Sequence, residues 1–196
     1  MPESAATSSF APAIMRVEAS PPSGSLTVGL IKSQAIADGH ANKIASDLVN
    51  NLYGEQSQFF TGRNYQLFMS PLKLSRQDVE EFYAEHLGKP YFEGLVESVS
   101  GKDGVIAIFM HGEGVMDGWR GLMGPTNPQV ARETAPGSLR ALYATEMPHT
   151  AVHGAATDAE ALAQWKILER ALLKNQREIL ERTLLASKRE SSDNAA

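Results

Sequence analysis

The stretch DGVIAIFMHG, residues 103–112, carries an unbroken apolar run at 105–110 between Gly104 and Gly112. A short run of this kind, rich in β-branched and aromatic residues and closed by turn formers, predicts a central strand buried on both faces. Working outward, LTVGLIK at 26–32 is a second buried run, and YQLFMSPLKLS at 65–75 alternates into a third strand. SLRALYAT at 138–145 is read as a fourth.

Helical spacing fills the intervals. In ADGHANKIASDLVNNLYG, at 37–54, Ile44, Leu48 and Leu52 recur at fourfold spacing and Gly54 can end the helix. Ser75 is a good N-cap for SRQDVEEFYAEHLG, whose apolar side is Val79, Phe82, Tyr83 and Leu87. KPYFEGLVESVSG, at 89–101, is a shorter helix, and EGVMDGWRGLMGPTNP gives another, closed by Gly124 and Pro125. A loop is expected from Thr126 to about Gly137. From Asp158 to about Ser187 the chain reads as one or two helices almost without breakers, with Leu162, Trp165, Leu172 and Ile179 at spacings of three and seven. Two readings of that stretch stand side by side: a helix that packs and then projects into water, or an oligomer contact. Strands mixed with helices imply an α/β or α+β sheet of about four strands.

Composition narrows the classes further. The 196 residues suit one domain, and 42% hydrophobic with 21% charged residues is a globular balance. Residues 1–25, rich in Ser, Ala and Pro, predict a disordered lead. Without cysteine there is no disulfide, thiolate metal site or cysteine nucleophile. A net charge of −5 argues against general nucleic-acid binding. No run approaches the roughly 18 apolar residues that span a bilayer, and the first residues lack a secretory pattern. The expectation is a soluble, cytoplasmic protein with neither membrane nor nucleic-acid partner.

The chemistry centres on PHTAVHGAAT, at 148–157, with His149 and His153 four residues apart. A zinc pair of the HExxH kind needs a helix and a glutamate after the first histidine; here Thr150 follows His149, and Pro148 and Gly154 oppose the helix. A single neutral imidazole can instead act as a nucleophile in phosphoryl transfer. That chemistry requires cations and hydroxyls around the phosphates, and Lys32, Arg120, Thr126 and Arg140 are candidates.

The stretches LIKS, EEFYAEHLGKPYFEGLVESVSG, GWRGLMGPTNP, PGSLRALY and HTAVHGA stand in one order along the chain. They resemble, in that order, the IKP, EHY…RPFF…LV, GR…G.TNP, PGTIR and N..HGSD motifs of the nucleoside diphosphate kinase family. The resemblance covers about 26–165 and implies an α+β fold: a ferredoxin-like antiparallel four-stranded sheet covered by helices. The organisation expected is a lead at 1–25, a domain at 26–165 and a helical extension with tail at 166–196.

What the resemblance implies for the site follows residue by residue. His153 matches the histidine that carries the phosphoryl group in a ping-pong exchange between nucleoside tri- and diphosphates. Lys32 matches the lysine that contacts phosphate and supports the histidine, and Tyr83 the tyrosine beside it. Arg120, Thr126 and Arg140 match the residues that hold the nucleotide phosphates. Tyr91 stands where a phenylalanine stacks on the base, Leu95 at a wall of that pocket, and Gly154 at the glycine after the histidine; Val99 is read as core. The implied substrates are ATP or another nucleoside triphosphate with Mg²⁺, the ion being held through the phosphates and not by a protein metal site. A homo-oligomer, whether dimer, tetramer or hexamer, is implied as well.

The chain also departs from the pattern. Ser33 replaces the proline of IKP, Thr150 replaces the asparagine assigned to nucleotide binding and is taken as the nucleotide-binding residue in its place, and Ala155 and Ala156 replace serine and aspartate. Without a gap, Gln164 occupies the place of the glutamate that orients the histidine, whereas a small shift would present Glu160. The stretches YGEQSQFFTGRN and QVARETA are insertions. These departures leave two alternatives: a nucleotide-binding or regulatory module of the same fold, or a relative with a different phosphate acceptor.

Overall fold

The computed structural model describes residues 22–55, 57–61 and 64–193, so most of the expected N-terminal lead and part of the 53–64 insertion lie outside the described residues. The apolar runs become strands as expected: β1 (Leu26–Ile31), β2 (Gln66–Leu72) and β3 (Val105–His111). The fourth strand is not at 138–145. It is β4 (Val152–Gly154), and the sheet runs β2-β3-β1-β4 with every neighbouring pair antiparallel. This is the ferredoxin-like α+β arrangement, with β3 and β1 at its centre.

The helices are α1 (Ser33–Ala37), α2 (Ala41–Tyr53), α3 (Arg76–Phe82), α4 (Phe92–Val99), α5 (Val115–Met123), α6 (Pro128–Thr134), α7 (Leu139–Tyr143) and α8 (Asp158–Asp193). Capping explains where several begin. Ser75 and Asp78 form a reciprocal capping box at the start of α3. Two sequence expectations are corrected by the same chemistry. In the segment expected to be a loop after Thr126, the Asn127 side chain accepts from the backbone N–H groups of Gln129 and Val130, and Pro128 opens α6. In the segment expected to be a strand, Ser138 accepts from the N–H of Ala141 and starts α7. α8 is a single helix of 36 residues.

Strand alternation divides the core in two. Leu26, Val28 and Leu30 of β1, with Val105, Ala107 and Phe109 of β3, meet α3, α4 and the first half of α8. Ile31, Ile108, Met110 and Val152 meet α2, α5 and α7 on the opposite face. Burial along α8 continues past residue 165 through Ile167, Leu168, Ala171 and Leu172, so the domain's packing reaches into the expected extension. Residues 22–25, expected within the lead, form a turn whose Ser23 hydroxyl and Gly24 N–H both donate to Asp158 at the start of α8. The insertion also contributes: Phe59 and Phe60 lie where side chains on Gly121 and Gly118 of α5 would otherwise stand.

Candidate active site

The register of β4 on β1 decides which way each site residue faces. Leu30 is opposite His153, so the imidazole shares Leu30's side of the sheet, toward α3 and α8. Gly29 is opposite Gly154, and that pair faces α5. An added Cβ at either glycine would collide with the buried Trp119, and at Gly154 with Met123 as well. Gly154 is therefore a packing requirement: only a residue without a side chain lets α5 close over this edge of the sheet. Lys32 follows β1 directly, and its backbone N–H donates to the carbonyl of Ala151.

The turn before His153 is tight. The N–H of Val152 donates to the Thr150 carbonyl two residues back (2.7 Å), with Ala151 at φ 61. A positive φ on a residue with a side chain is strained, and here the pairing of Lys32 and β1 on both sides holds it. The Thr150 hydroxyl is buried and donates to the Val152 carbonyl (3.3 Å).

His153 itself is 12% exposed. The rings of Phe82 and Tyr83, at the end of α3, stand edge-on to the imidazole with centroids 4.9 and 5.3 Å away. Its Nε2 lies 3.0 Å from Oε1 of Gln164, while the Gln164 amide N–H donates to Glu160 Oε1 at 2.8 Å. Because a carboxylate only accepts, the Gln164 amide must direct its NH₂ to Glu160 and its oxygen to His153. Nε2 then carries the proton, and Nδ1 keeps the lone pair. Both residues that the sequence left as alternatives are used, in series, since a spacing of four puts them on one side of α8.

The electrostatics agree with a neutral imidazole. Burial, opposed by the Gln164 hydrogen bond and reinforced by Lys32, Arg140 and His86, lowers the His153 pKa to about 3. Lys32 is buried and donates from Nζ to Ser98 Oγ (3.2 Å) and the Pro148 carbonyl (3.4 Å); burial and Arg140 lower its pKa to about 7. Burial raises the pKa of the Tyr83 hydroxyl, which stays protonated and has no partner among the described residues. Arg140 donates to the carbonyls of Gly124 (2.7 Å) and Val152 (3.5 Å), leaving its buried Nε unpartnered among the described residues.

A recess of about 210 Å³ brings together Arg120, Thr126, Arg140 and Gly154, with Ala156 at its rim. Arg120 donates to the Ala156 carbonyl across it (2.8 Å). His153, Lys32, Tyr83, Thr150, Tyr91 and Leu95 are not among its walls. Tyr91 is half exposed beside His86, ring centroids 5.7 Å apart, and Leu95 packs on the core from α4. Three neighbours are not marked as such by the sequence: Phe82, Ser98 and Trp119. Phe82 figures there only on the apolar side of its helix.

Residues 26–170 match the family described as nucleoside diphosphate kinase. The Heliobacterium modesticaldum nucleoside diphosphate kinase is 38% identical over 112 residues, 56% of this chain and 72% of its own length. Thioredoxin domain-containing protein 3 homolog of Heliocidaris crassispina is 40% identical over 90 residues. The chain spans only 11% of that protein's length, and 15% of the Xenopus laevis thioredoxin domain-containing protein 6. Among solved structures, the Aquifex aeolicus nucleoside diphosphate kinase superposes with a TM-score of 0.60 at 24% identity, covering 74% of this chain and 94% of its own. The Halobacterium salinarum enzyme, solved in complex with CDP, superposes at 0.59 with 23% identity, covering 72% and 85%.

Proposed function

The chain belongs to the nucleoside diphosphate kinase family, and on that premise we propose that it moves the γ-phosphate of a nucleoside triphosphate to a nucleoside diphosphate through His153. One observation carries the reading: Nε2 of a neutral, buried imidazole is committed to Gln164, which leaves the Nδ1 lone pair as the nucleophile. In the first half-reaction Nδ1 attacks the γ-phosphorus, and the bond to the bridging oxygen breaks. The diphosphate leaves with that oxygen, and the phosphoryl group stays on Nδ1. A second diphosphate then attacks the phosphoryl group through a terminal oxygen and restores the free imidazole.

The surroundings fit the charge that moves. Lys32, in its protonated form, and Arg140 depress the imidazolium form, and the same two groups neutralise phosphoryl oxygens. Arg120 and Thr126, sharing a recess with Arg140, are assigned to the nucleotide phosphates. The protonated, unpartnered Tyr83 hydroxyl is a donor for the transferring group. Tyr91, exposed at the start of α4, is assigned to stack on the base, with Leu95 behind it. Gly154 lets Trp119 and Met123 close the edge beneath the phosphates. Magnesium, with ATP as donor, would come bound to phosphate oxygens and shield their charge; among the described residues no three His, Cys, Asp or Glu side chains cluster to hold an ion.

Thr150 gives a second reading its footing, since its hydroxyl is spent on the Val152 carbonyl. A nucleotide-binding module with little or no transfer would tolerate that. Incubation with γ-labelled ATP separates the readings. Acid-labile label that disappears in His153→Ala and passes to added ADP is expected. An unlabelled protein that still binds ADP would establish the module, and label that moves to no nucleoside diphosphate would indicate another acceptor. His149→Ala should leave labelling unchanged.

A further inference from the structure

Glutamine is an ambiguous partner for a catalytic histidine. Its amide can turn over, presenting either its oxygen or its NH₂, and the two choices select opposite tautomers of the imidazole. With the NH₂ toward Nε2, that nitrogen would have to accept, and the proton would sit on Nδ1. No lone pair would then be left there for phosphorus. Something outside the pair has to settle the orientation.

We propose that Glu160 is a positioning residue that locks the Gln164 amide in one orientation, thereby selecting the Nε2–H tautomer of His153 and leaving Nδ1 as the nucleophile. This rests on the phosphohistidine reading above and adds the device that sets its polarity. The chain of bonds can be followed from a fixed end. The backbone N–H of Ala156, which can only donate, reaches Glu160 Oε2 at 2.7 Å. The other oxygen, Oε1, accepts from Gln164 Nε2 at 2.8 Å. Gln164 Oε1 then accepts from His153 Nε2 at 3.0 Å. Every group has one role, and the backbone amide at the start decides all of them.

The geometry favours service in series over a direct contact. Glu160 Oε1 is 4.0 Å from His153 Nε2, too far for a hydrogen bond, whereas Gln164 is within reach of both. Gln164 is 2% exposed, so no bulk water competes for its amide. The Thr157 hydroxyl accepts from the Glu160 N–H (3.2 Å) and fixes the first turn of α8 on which the carboxylate rides. Burial raises the Glu160 pKa, opposed by the bonds from the Ala156 N–H and Gln164 and reinforced by Glu85, so the lock is a property of the ionised carboxylate.

The arrangement makes an unusual forecast for Glu160→Gln. A carboxylate offers two acceptors, but an amide offers one oxygen and one NH₂. Ala156 N–H claims the oxygen, so the new NH₂ faces Gln164 and can be satisfied only if the Gln164 amide turns over. The Ala156 bond keeps its direction, the two bonds beyond it, between residues 160 and 164 and between Gln164 and His153, are remade with reversed polarity, and the proton moves to Nδ1. The fold survives, and the nucleophile does not.

The test reads ¹⁵N ring shifts of His153 in the full chain, unphosphorylated, alongside single-turnover phosphorylation by ATP. Wild type should show the Nε2–H tautomer. Glu160→Gln should show the Nδ1–H form and phosphorylate on the order of 10²-fold more slowly or worse, with ATP affinity unchanged. The double variant E160Q/Q164E should return both the tautomer and the rate, because a carboxylate beside Nε2 can only accept and needs no lock. A Glu160→Gln protein that keeps the Nε2–H tautomer overturns the proposal, as does failure of the double variant to recover it. The tautomer is read without turnover. A wild type that never takes label would thus sink the phosphohistidine reading separately, while the ring shifts still decide the lock. Should Glu160→Gln fail to fold, Gln164→Leu serves: loss of the single tautomer is expected, and its retention overturns the proposal.

Discussion

The His153 edge of the sheet and the outer half of α8 are opposite uses of polar and apolar side chains. Around His153, Lys32, Thr150 and Gln164 are buried polar groups, each hydrogen-bonded. Along the outer half of α8, Leu173, Ile179 and Leu180 are more than half exposed. Burying polar groups costs stability unless each finds a partner, and exposing apolar ones forgoes the gain of burial. The His153 edge thus accepts an energetic penalty to hold a neutral histidine near Lys32 and Arg140, and the proposed function is placed there. The helix beyond Leu172 is regular because helix-forming residues make it so, with less of the core to cover it.

The largest expected effect tests the charged side of the contrast. Lys32→Ala or Arg120→Ala should each slow phosphoryl transfer by about 10²-fold or more while circular dichroism stays native. An unchanged rate in either would mean that these cations are ordinary surface or core groups. Next comes the packing beneath the histidine. Gly154→Ala must displace Trp119 or Met123, and a loss of about 1–3 kcal/mol in urea unfolding is expected. A neutral result would show that α5 does not press on β4 as described.

The third test uses the depressed His153 pKa. The unfolded chain takes up a proton near pH 6.5, whereas the folded one resists until about 3, so stability is lost as pH falls between those values. At pH 5 the penalty is about 2 kcal/mol. The difference between wild type and His153→Gln should therefore narrow as the solution is acidified from pH 7 to 4, and a constant difference would refute a buried neutral imidazole. The smallest effect sharpens the other pole. Replacing Leu173, Ile179 and Leu180 together by Gln should change stability by less than about 0.5 kcal/mol per site and leave transfer intact. A fall in sedimenting mass in that variant would identify the outer helix as an oligomer contact.

Much of this was legible in advance, for a physical reason in each case. β1 and β3 are apolar runs long enough to announce themselves, and Ser75 caps α3 wherever the rest of the chain lies. β4 has three residues and no period to detect, and its identity comes from pairing with β1. The helical start at Asn127–Pro128 was within reach of local chemistry and was hidden by reading the insertion as a loop. The family motifs brought out His153, Lys32 and the arginines by residue type and order. They could not foretell Phe82 against the imidazole or Trp119 under Gly154, because those contacts join segments far apart in the chain.

By itself, then, the sequence determined the kind of chemistry available: a histidine among cations and hydroxyls, strands mixed with helices, no thiols, with the ferredoxin-like order implied only by the family resemblance. Only the tertiary structure decided which face His153 takes, which ring nitrogen is free, and that Gln164 and Glu160 act in line. Residue identity sets what a group can donate or accept. Which of those options it uses is settled by the neighbours that folding places within about 3 Å of it.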